Sequence, residues 1–126
     1  MKRCLVVDDS LVTRLMLKEI LQQLEPGTQV IQANCGDDAL SKTDQAGFID
    51  YALIDFNMPG MNGLQLAEQL RSTGKMGKMA LLTANIQESV KQQAESKGLK
   101  FLNKPLNEET ISTFVKNGID SSHPNA

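Results

Sequence analysis

The sequence predicts an α/β domain in which five parallel strands alternate with five helices. Two observations carry that expectation. Short apolar runs without polar alternation, at Cys4 to Val7, Tyr51 to Ile54 and Met79 to Leu82, read as strands covered on both faces. Between the strands lie longer segments whose apolar residues recur every three or four positions, the spacing of a helix with one buried side. A parallel sheet needs such crossover helices on both of its faces.

The first strand, Cys4-Leu5-Val6-Val7, ends on Asp8-Asp9-Ser10. In the helix that follows, Leu11, Val12, Leu15, Met16, Ile20, Leu21 and Leu24 form the apolar side, with Arg14, Lys18 and Gln22 opposite. Asp9 or Ser10 is its expected N-cap. Pro26-Gly27 breaks the helix, and the second strand covers residues 28–33. Residues 34–36 turn the chain into a short helix, about residues 37–46, with Ala39, Leu40 and Thr43 inward. The third strand runs into Asp55 and a loop holding Asn57, Pro59, Gly60, Asn62 and Gly63, all turn formers. The next helix, to about Ser72, buries Leu64, Leu66, Ala67 and Leu70. The glycine-rich, cationic stretch 73–78 lacks the spacing of a phosphate-cradling loop, so a solvated connection is expected. The fourth strand, Met79 to Leu82, reaches Thr83-Ala84-Asn85. A fourth helix sets Ile86, Val90 and Ala94 inward at four-residue spacing, leaves Gln87, Lys91, Gln92 and Glu95 to water, and stops near Gly98. The short fifth strand, Lys100 to Asn103, ends on Lys104-Pro105. Asn107-Glu108-Glu109 opens the last helix with acids suited to its N-terminal dipole. It buries Ile111, Phe114 and Val115, and Gly118 is expected to close it.

The chain of 126 residues suffices for one domain with a core of its own. A net charge of -2 offers no general attraction to nucleic acid or anionic membrane. No apolar run reaches the roughly 20 residues of a membrane span, and the N-terminus does not read as a signal peptide. A cytoplasmic protein is expected. Cys4 and Cys35 lack metal-ligand spacing and are expected to be small buried hydrophobes. The single histidine, His123, stands in a polar tail, which argues against a histidine-centred triad.

Four strands end on groups able to do chemistry: Asp8-Asp9, Asp55, Thr83 and Lys104. Each alone has a plain structural explanation, as a cap, a backbone partner or a solvated charge. In a parallel sheet, however, the four ends share one edge, where active groups of open α/β sheets lie. Two carboxylates ~4 Å apart repel by about 4 kcal/mol at an effective dielectric near 20. A cation among them, or a shared proton, has to relieve this. Oxygen ligands alone favour a hard cation such as Mg²⁺. With a lysine and a threonine facing it, the site reads as one for phosphoryl transfer to a carboxylate.

Asp8-Asp9, the loop from Asp55 to Gly63, Thr83-Ala84 and Lys104-Pro105 together resemble the receiver domain of two-component response regulators. The likeness spans about Lys2 to Lys116. It implies a flavodoxin-like fold with sheet order 2-1-3-4-5, a receiver domain over residues 1–118 and a polar tail over 119–126. By the same resemblance, Asp55 is the phosphoacceptor for a phosphohistidine on a sensor histidine kinase. Mg²⁺ would be held by Asp9, Asp55 and the backbone carbonyl of Asn57, with Asp8 acting through water. Lys104 would pair with the phosphoryl group, Thr83 and Phe101 would form the switch, and the Lys104-Pro105 bond would be cis. The chain would be not an enzyme but a signalling phosphoacceptor that catalyses its own phosphorylation and dephosphorylation. Its output would be a protein target on the face made by helix four, strand five and helix five, in the manner of a single-domain chemotaxis regulator. The alternative is a phosphorelay intermediate.

Two departures stand out from the family pattern. Phe101 lacks the hydroxyl of the tyrosine common at the switch position, and Phe56 replaces a tryptophan found in some members. Asn85 is a neutral group flanking the phosphoryl position. Two other classes fit the residues less well. A phosphohydrolase of the haloacid dehalogenase type would place its nucleophile after the first strand with a second aspartate two residues on, whereas Asn57 follows Asp55 here. A mononucleotide binder would have a Gly, Ser or Thr-rich first loop where this chain has Asp8-Asp9.

Overall fold

In the computed structural model, which describes residues 2–84 and 87–120 with side chains through residue 116, strands and helices alternate throughout. The elements are β1 (Arg3–Val7), α1 (Leu11–Leu24), β2 (Gln29–Ala33), α2 (Gly36–Asp44) and β3 (Ile49–Asp55). They continue as α3 (Gly63–Ser72), β4 (Met76–Thr83), α4 (Glu88–Ser96), β5 (Lys100–Asn103) and α5 (Glu108–Asp120). The sheet is parallel throughout, in the order β2-β1-β3-β4-β5, the flavodoxin-like arrangement expected.

Successive strand residues point to opposite faces, and this divides the core in two. Leu5 and Val7 of β1, Ala52 and Ile54 of β3, and Met79 and Leu81 of β4 pack with Ala39, Leu66, Leu70 and Ala94. Cys4 and Val6, Tyr51 and Leu53, and Ala80 and Leu82 pack on the other face with Leu17, Leu21, Ile111 and Phe114. Helices α1 and α5 therefore cover one face, and α2, α3 and α4 the other. The unbroken apolar runs of the central strands follow from being sandwiched in this way.

Helix α1 departs from the expected pattern. Leu17 and Leu21 are buried, with Ile20 and Leu24 packed against the same cluster. Leu11, Val12, Leu15 and Met16 instead face solvent, Val12 with 77% of its surface exposed. The helix carries two apolar stripes, and only the one at positions 17, 20, 21 and 24 meets the sheet. Arg14 falls on that inward side, one turn before Leu17, and is half-buried where a solvent position was expected. Ser10 is the cap: its Oγ accepts from the Thr13 amide at 3.3 Å.

Three further differences are local. Strand β4 begins at Met76, so part of the stretch expected to be a solvated loop lies in the sheet, with Met76 paired to Ile49 and Lys78 to Tyr51. Gly77 makes this possible, because a Cβ there would collide with the Asp50 carbonyl. Helix α5 continues through Gly118 to Asp120, two residues beyond the expected domain boundary. Cys4 is buried as expected, its thiol pushed well above its ordinary pKa by that burial, whereas Cys35 is half-exposed. The expectations for Asn85, Ile86 and the tail with His123 fall outside the described residues. Among those described, no helix is long and apolar enough to cross a membrane.

The two stripes of α1 should separate in stability measurements. Leu17→Ala is expected to cost about 2–5 kcal/mol in urea unfolding, as a cavity in a packed core does. Leu15→Ala, half-exposed, should stay within about 1 kcal/mol.

Candidate functional site at the carboxyl edge of the sheet

From β1 the chain crosses to β2 on one side and then returns to β3 on the other, so the crevice between the ends of β1 and β3 is the topological switch point. Asp8 is the first residue past β1, and its amide still donates to the Ala33 carbonyl at 3.1 Å. Both oxygens of its carboxylate are engaged: Oδ1 accepts from the Ser10 amide at 2.9 Å and Oδ2 from Lys104 Nζ at 3.0 Å. The first of these is an Asx turn, which bends the chain sharply into α1. Asp9, beside it, is exposed.

Asp55 ends β3 and is buried, with 7% of its side chain exposed. Its Oδ1 accepts from Lys104 Nζ at 3.2 Å, so one ammonium bridges two carboxylates. The backbone on either side of Asp55 is held tightly. Phe56 donates to the Leu82 carbonyl at 2.8 Å, and the Gly63 amide returns to the Phe56 carbonyl at 2.9 Å. The returning chain passes so close that a Cβ on Gly63 would lie 2.5 Å from the Asp55 carbonyl oxygen. Only glycine fits there. Asn62 and Gln65 then close a capping box, each side chain 2.9 Å from the other's amide, which starts α3 at once.

One carboxylate oxygen each from Asp8, Asp9 and Asp55 lies within 4.8 Å of the others. At an effective dielectric near 20, each such pair repels by roughly 3 kcal/mol. Burial first, and the Asp8 charge second, push the Asp55 carboxyl above its usual range. Lys104 and the Asn57 amide oppose that shift without cancelling it. Burial pulls the Lys104 ammonium down, but the hydrogen bond to Asp8 and the charges of Asp55 and Asp8 outweigh this, and its pKa is raised. The cluster offers only carboxylate oxygens, with no thiolate or imidazole, a donor set that fits a hard divalent cation such as Mg²⁺.

Thr83, the last residue of β4, is buried, and its carbonyl accepts from the Lys104 amide at 2.9 Å. The Lys104-Pro105 peptide is cis. Phe101 is half-buried and meets Phe56 edge-on, ring centroids 6.4 Å apart. Phe56, Asn57, Thr83, Gln87, Val90 and Phe101 surround a cavity of about 110 Å³. The structure thus brings Asp8, Asp9, Asp55 and Lys104 together, and it sets Asn57, Thr83 and Phe101 around one cavity. Reading the sequence missed the Phe56–Phe101 contact and the inward reach of Arg14. The latter was available from its position one turn before Leu17.

The fold and this crevice define a doubly wound α/β domain with an acidic, lysine-bridged pocket at its switch point. Residues 4–116 match the response regulator receiver domain, and the chain belongs to that family. It is 34% identical to the protein PilH of Pseudomonas aeruginosa, over 88% of this chain and 92% of PilH. It is 31% identical to the cyclic di-GMP phosphodiesterase response regulator RpfG of Xanthomonas campestris, of which it spans only 30%. Among solved structures, the response regulator TrrA of Thermotoga maritima, in complex with Mg²⁺ and a beryllium fluoride, superposes with a TM-score of 0.77 at 34% identity, covering 94% of this chain and 99% of TrrA. Family membership sets aside the dehalogenase-type and mononucleotide-binding alternatives.

The raised Asp55 carboxyl has a consequence for metal-free stability. A carboxyl that binds its proton more tightly in the folded state lends stability below the unfolded value, about pH 4, and loses it as pH rises through the folded value. Metal-free Asp55→Asn should therefore melt above the wild type at pH 7, and the gap should close as pH falls below about 4. Lys104 is charged throughout that window and does not alter the sign. Thermal melts in chelator across this range give the check.

Proposed function

We propose that Asp55 accepts a phosphoryl group from a phosphohistidine on a sensor histidine kinase, in a Mg²⁺-dependent reaction. The observation that carries this reading is the pair of carboxylates bridged by Lys104, with Asp55 buried at the strand end. An Asp55 oxygen forms the new bond to phosphorus while the phosphorus–nitrogen bond breaks. The electron pair leaves with the imidazole, which departs neutral when its other nitrogen is protonated. Mg²⁺ would be held by the carboxylates of Asp9 and Asp55 and the Asn57 carbonyl, with Asp8 acting through water, and would offset charge on the phosphoryl oxygens. Lys104 turns from its carboxylate partners toward the phosphoryl group.

The donor docks on the exposed stripe of Leu11, Val12, Leu15 and Met16, which starts two residues after Asp9. Four large apolar side chains in one patch are unusual on a free surface and suit an apolar helical partner. On phosphorylation, Thr83 moves to hydrogen-bond the phosphoryl group and Phe101 swings inward behind it, drawing on the small cavity that both line. The change is read by a protein target on the α4, β5 and α5 face, where Phe101, Leu102, Thr110, Thr113 and Phe114 line a groove of about 360 Å³. A coupling of about 1–3 kcal/mol is of ordinary size for such a switch. The receiver unit extends through the end of α5 at Asp120, and it acts in the cytoplasm by chemotaxis-type protein binding, not by contacting DNA.

Acetyl phosphate with Mg²⁺ should add one base-labile phosphoryl group, seen by intact mass, and Asp55→Asn should remove it. Undiminished labelling of Asp55→Asn sinks the assignment. Lys104→Ala should still bind Mg²⁺ but lose the amide shifts that a beryllium fluoride mimic induces in α4, β5 and α5 of the wild type. Val12→Asp should keep its acetyl phosphate reaction within about two-fold and lose at least ten-fold in transfer from a kinase, as expected for a docking residue remote from the chemistry.

A further inference from the structure

We propose that Arg14 is a positioning residue for the acid pair Asp8-Asp9, and thereby sets the affinity of the crevice for Mg²⁺. The inference rests on the Mg²⁺-dependent reading above. Sheet pairing of β1 stops at Val7, opposite Ala33 on one side and Ile54 on the other. The carbonyl of Asp8 therefore lies beyond the ladders. Arg14 Nη1 donates to it at 2.7 Å, while the same guanidinium donates through Nε to Gln32 Oε1 at 3.2 Å. Gln32 is itself anchored, since its backbone carbonyl accepts from Lys42 Nζ at 2.6 Å, and Lys42 pairs with Asp38 at 3.2 Å.

A chain of contacts thus runs from α2 through β2 and α1 to the peptide joining the two acids. Asp9 is exposed, and in this proposal the peptide it shares with Asp8 sets the direction of its carboxylate. The rigid fork of a guanidinium can hold a carbonyl and an amide oxygen at once, which an ammonium on a flexible stem does poorly. The contact is to backbone, so Arg14 touches neither metal nor phosphoryl group in this scheme. Partners outside the ligand shell commonly govern metal affinity by orienting the ligands.

The test is a Mg²⁺ titration of wild type, Arg14→Met, Arg14→Lys and Gln32→Leu, followed by amide shifts, with labelling by acetyl phosphate in parallel. Arg14→Met should weaken Mg²⁺ binding by about ten-fold, with Arg14→Lys intermediate and Gln32→Leu weaker in the same direction. At saturating Mg²⁺ the labelling rate of each variant should return to within about two-fold of wild type, so the loss lies in half-saturation. A purely structural role would lower melting temperature in chelator and leave the Mg²⁺ dissociation constant alone. An unchanged constant in the folded variants overturns the proposal. A tighter one does too, since it would mean that the charge of Arg14 matters by repelling the cation. Should Arg14→Met fail to fold, Arg14→Lys and Gln32→Leu decide by the same criterion. A wild type that neither binds Mg²⁺ nor accepts a phosphoryl group overturns the receiver chemistry itself, a result distinct from variants that merely bind Mg²⁺ normally.

Discussion

The ammonium of Lys104, 3.0 Å from Asp8 and 3.2 Å from Asp55, is the contact on which the crevice depends. Two buried carboxylates cannot share a low-dielectric pocket without a compensating positive charge. Lys104 supplies one, but only one, against two buried acids and an exposed third. The deficit is visible in the Asp55 carboxyl, which stays above its usual range despite its ion pair. Such a site is poised: it gains from any further cation.

Holding that imbalance in place is the task of the backbone around it. Parallel strands bring the ends of β1, β3, β4 and β5 to one edge, although the residues come from distant parts of the chain. Each end is then locked locally. Asp8 is bent by its turn to Ser10, Asp55 lies under the chain returning at Gly63, and Lys104 is hung from the Thr83 carbonyl. The core beneath is apolar on both faces of the sheet, so stability is drawn from there and not from the charged edge.

Much of this was legible from the residues. The central strands announce themselves because burial on both faces forbids polar alternation, and an acid directly after such a run marks its exit from the core. Less legible was α1, where two apolar stripes compete and hydrophobicity alone does not say which one meets the sheet. Leu17, Ile20, Leu21 and Leu24 do so, packing with Cys4, Val6, Tyr51 and Leu53. The early start of β4 was hidden by Gly77, which looks like a loop residue but is required by the close Asp50 carbonyl. Arg14 was hidden by its charge. A long side chain can enter an inward position and place its head on backbone oxygen, which a pattern of polar and apolar residues does not record.

The contact between Lys104 and Asp8 joins residues 96 positions apart. Its partner contact to Asp55 spans 49. The acidic crevice is therefore among the most non-local features of the chain, and closing such loops costs entropy before any contact rewards it. A chain that has formed β1, β2 and β3 but not β5 holds its carboxylates together with no lysine between them. During synthesis Asp8 and Asp55 precede the lysine by those same two distances. Completion of the site therefore depends on the last strand, and a chain whose β5 is not in place lacks the lysine that joins the two acids.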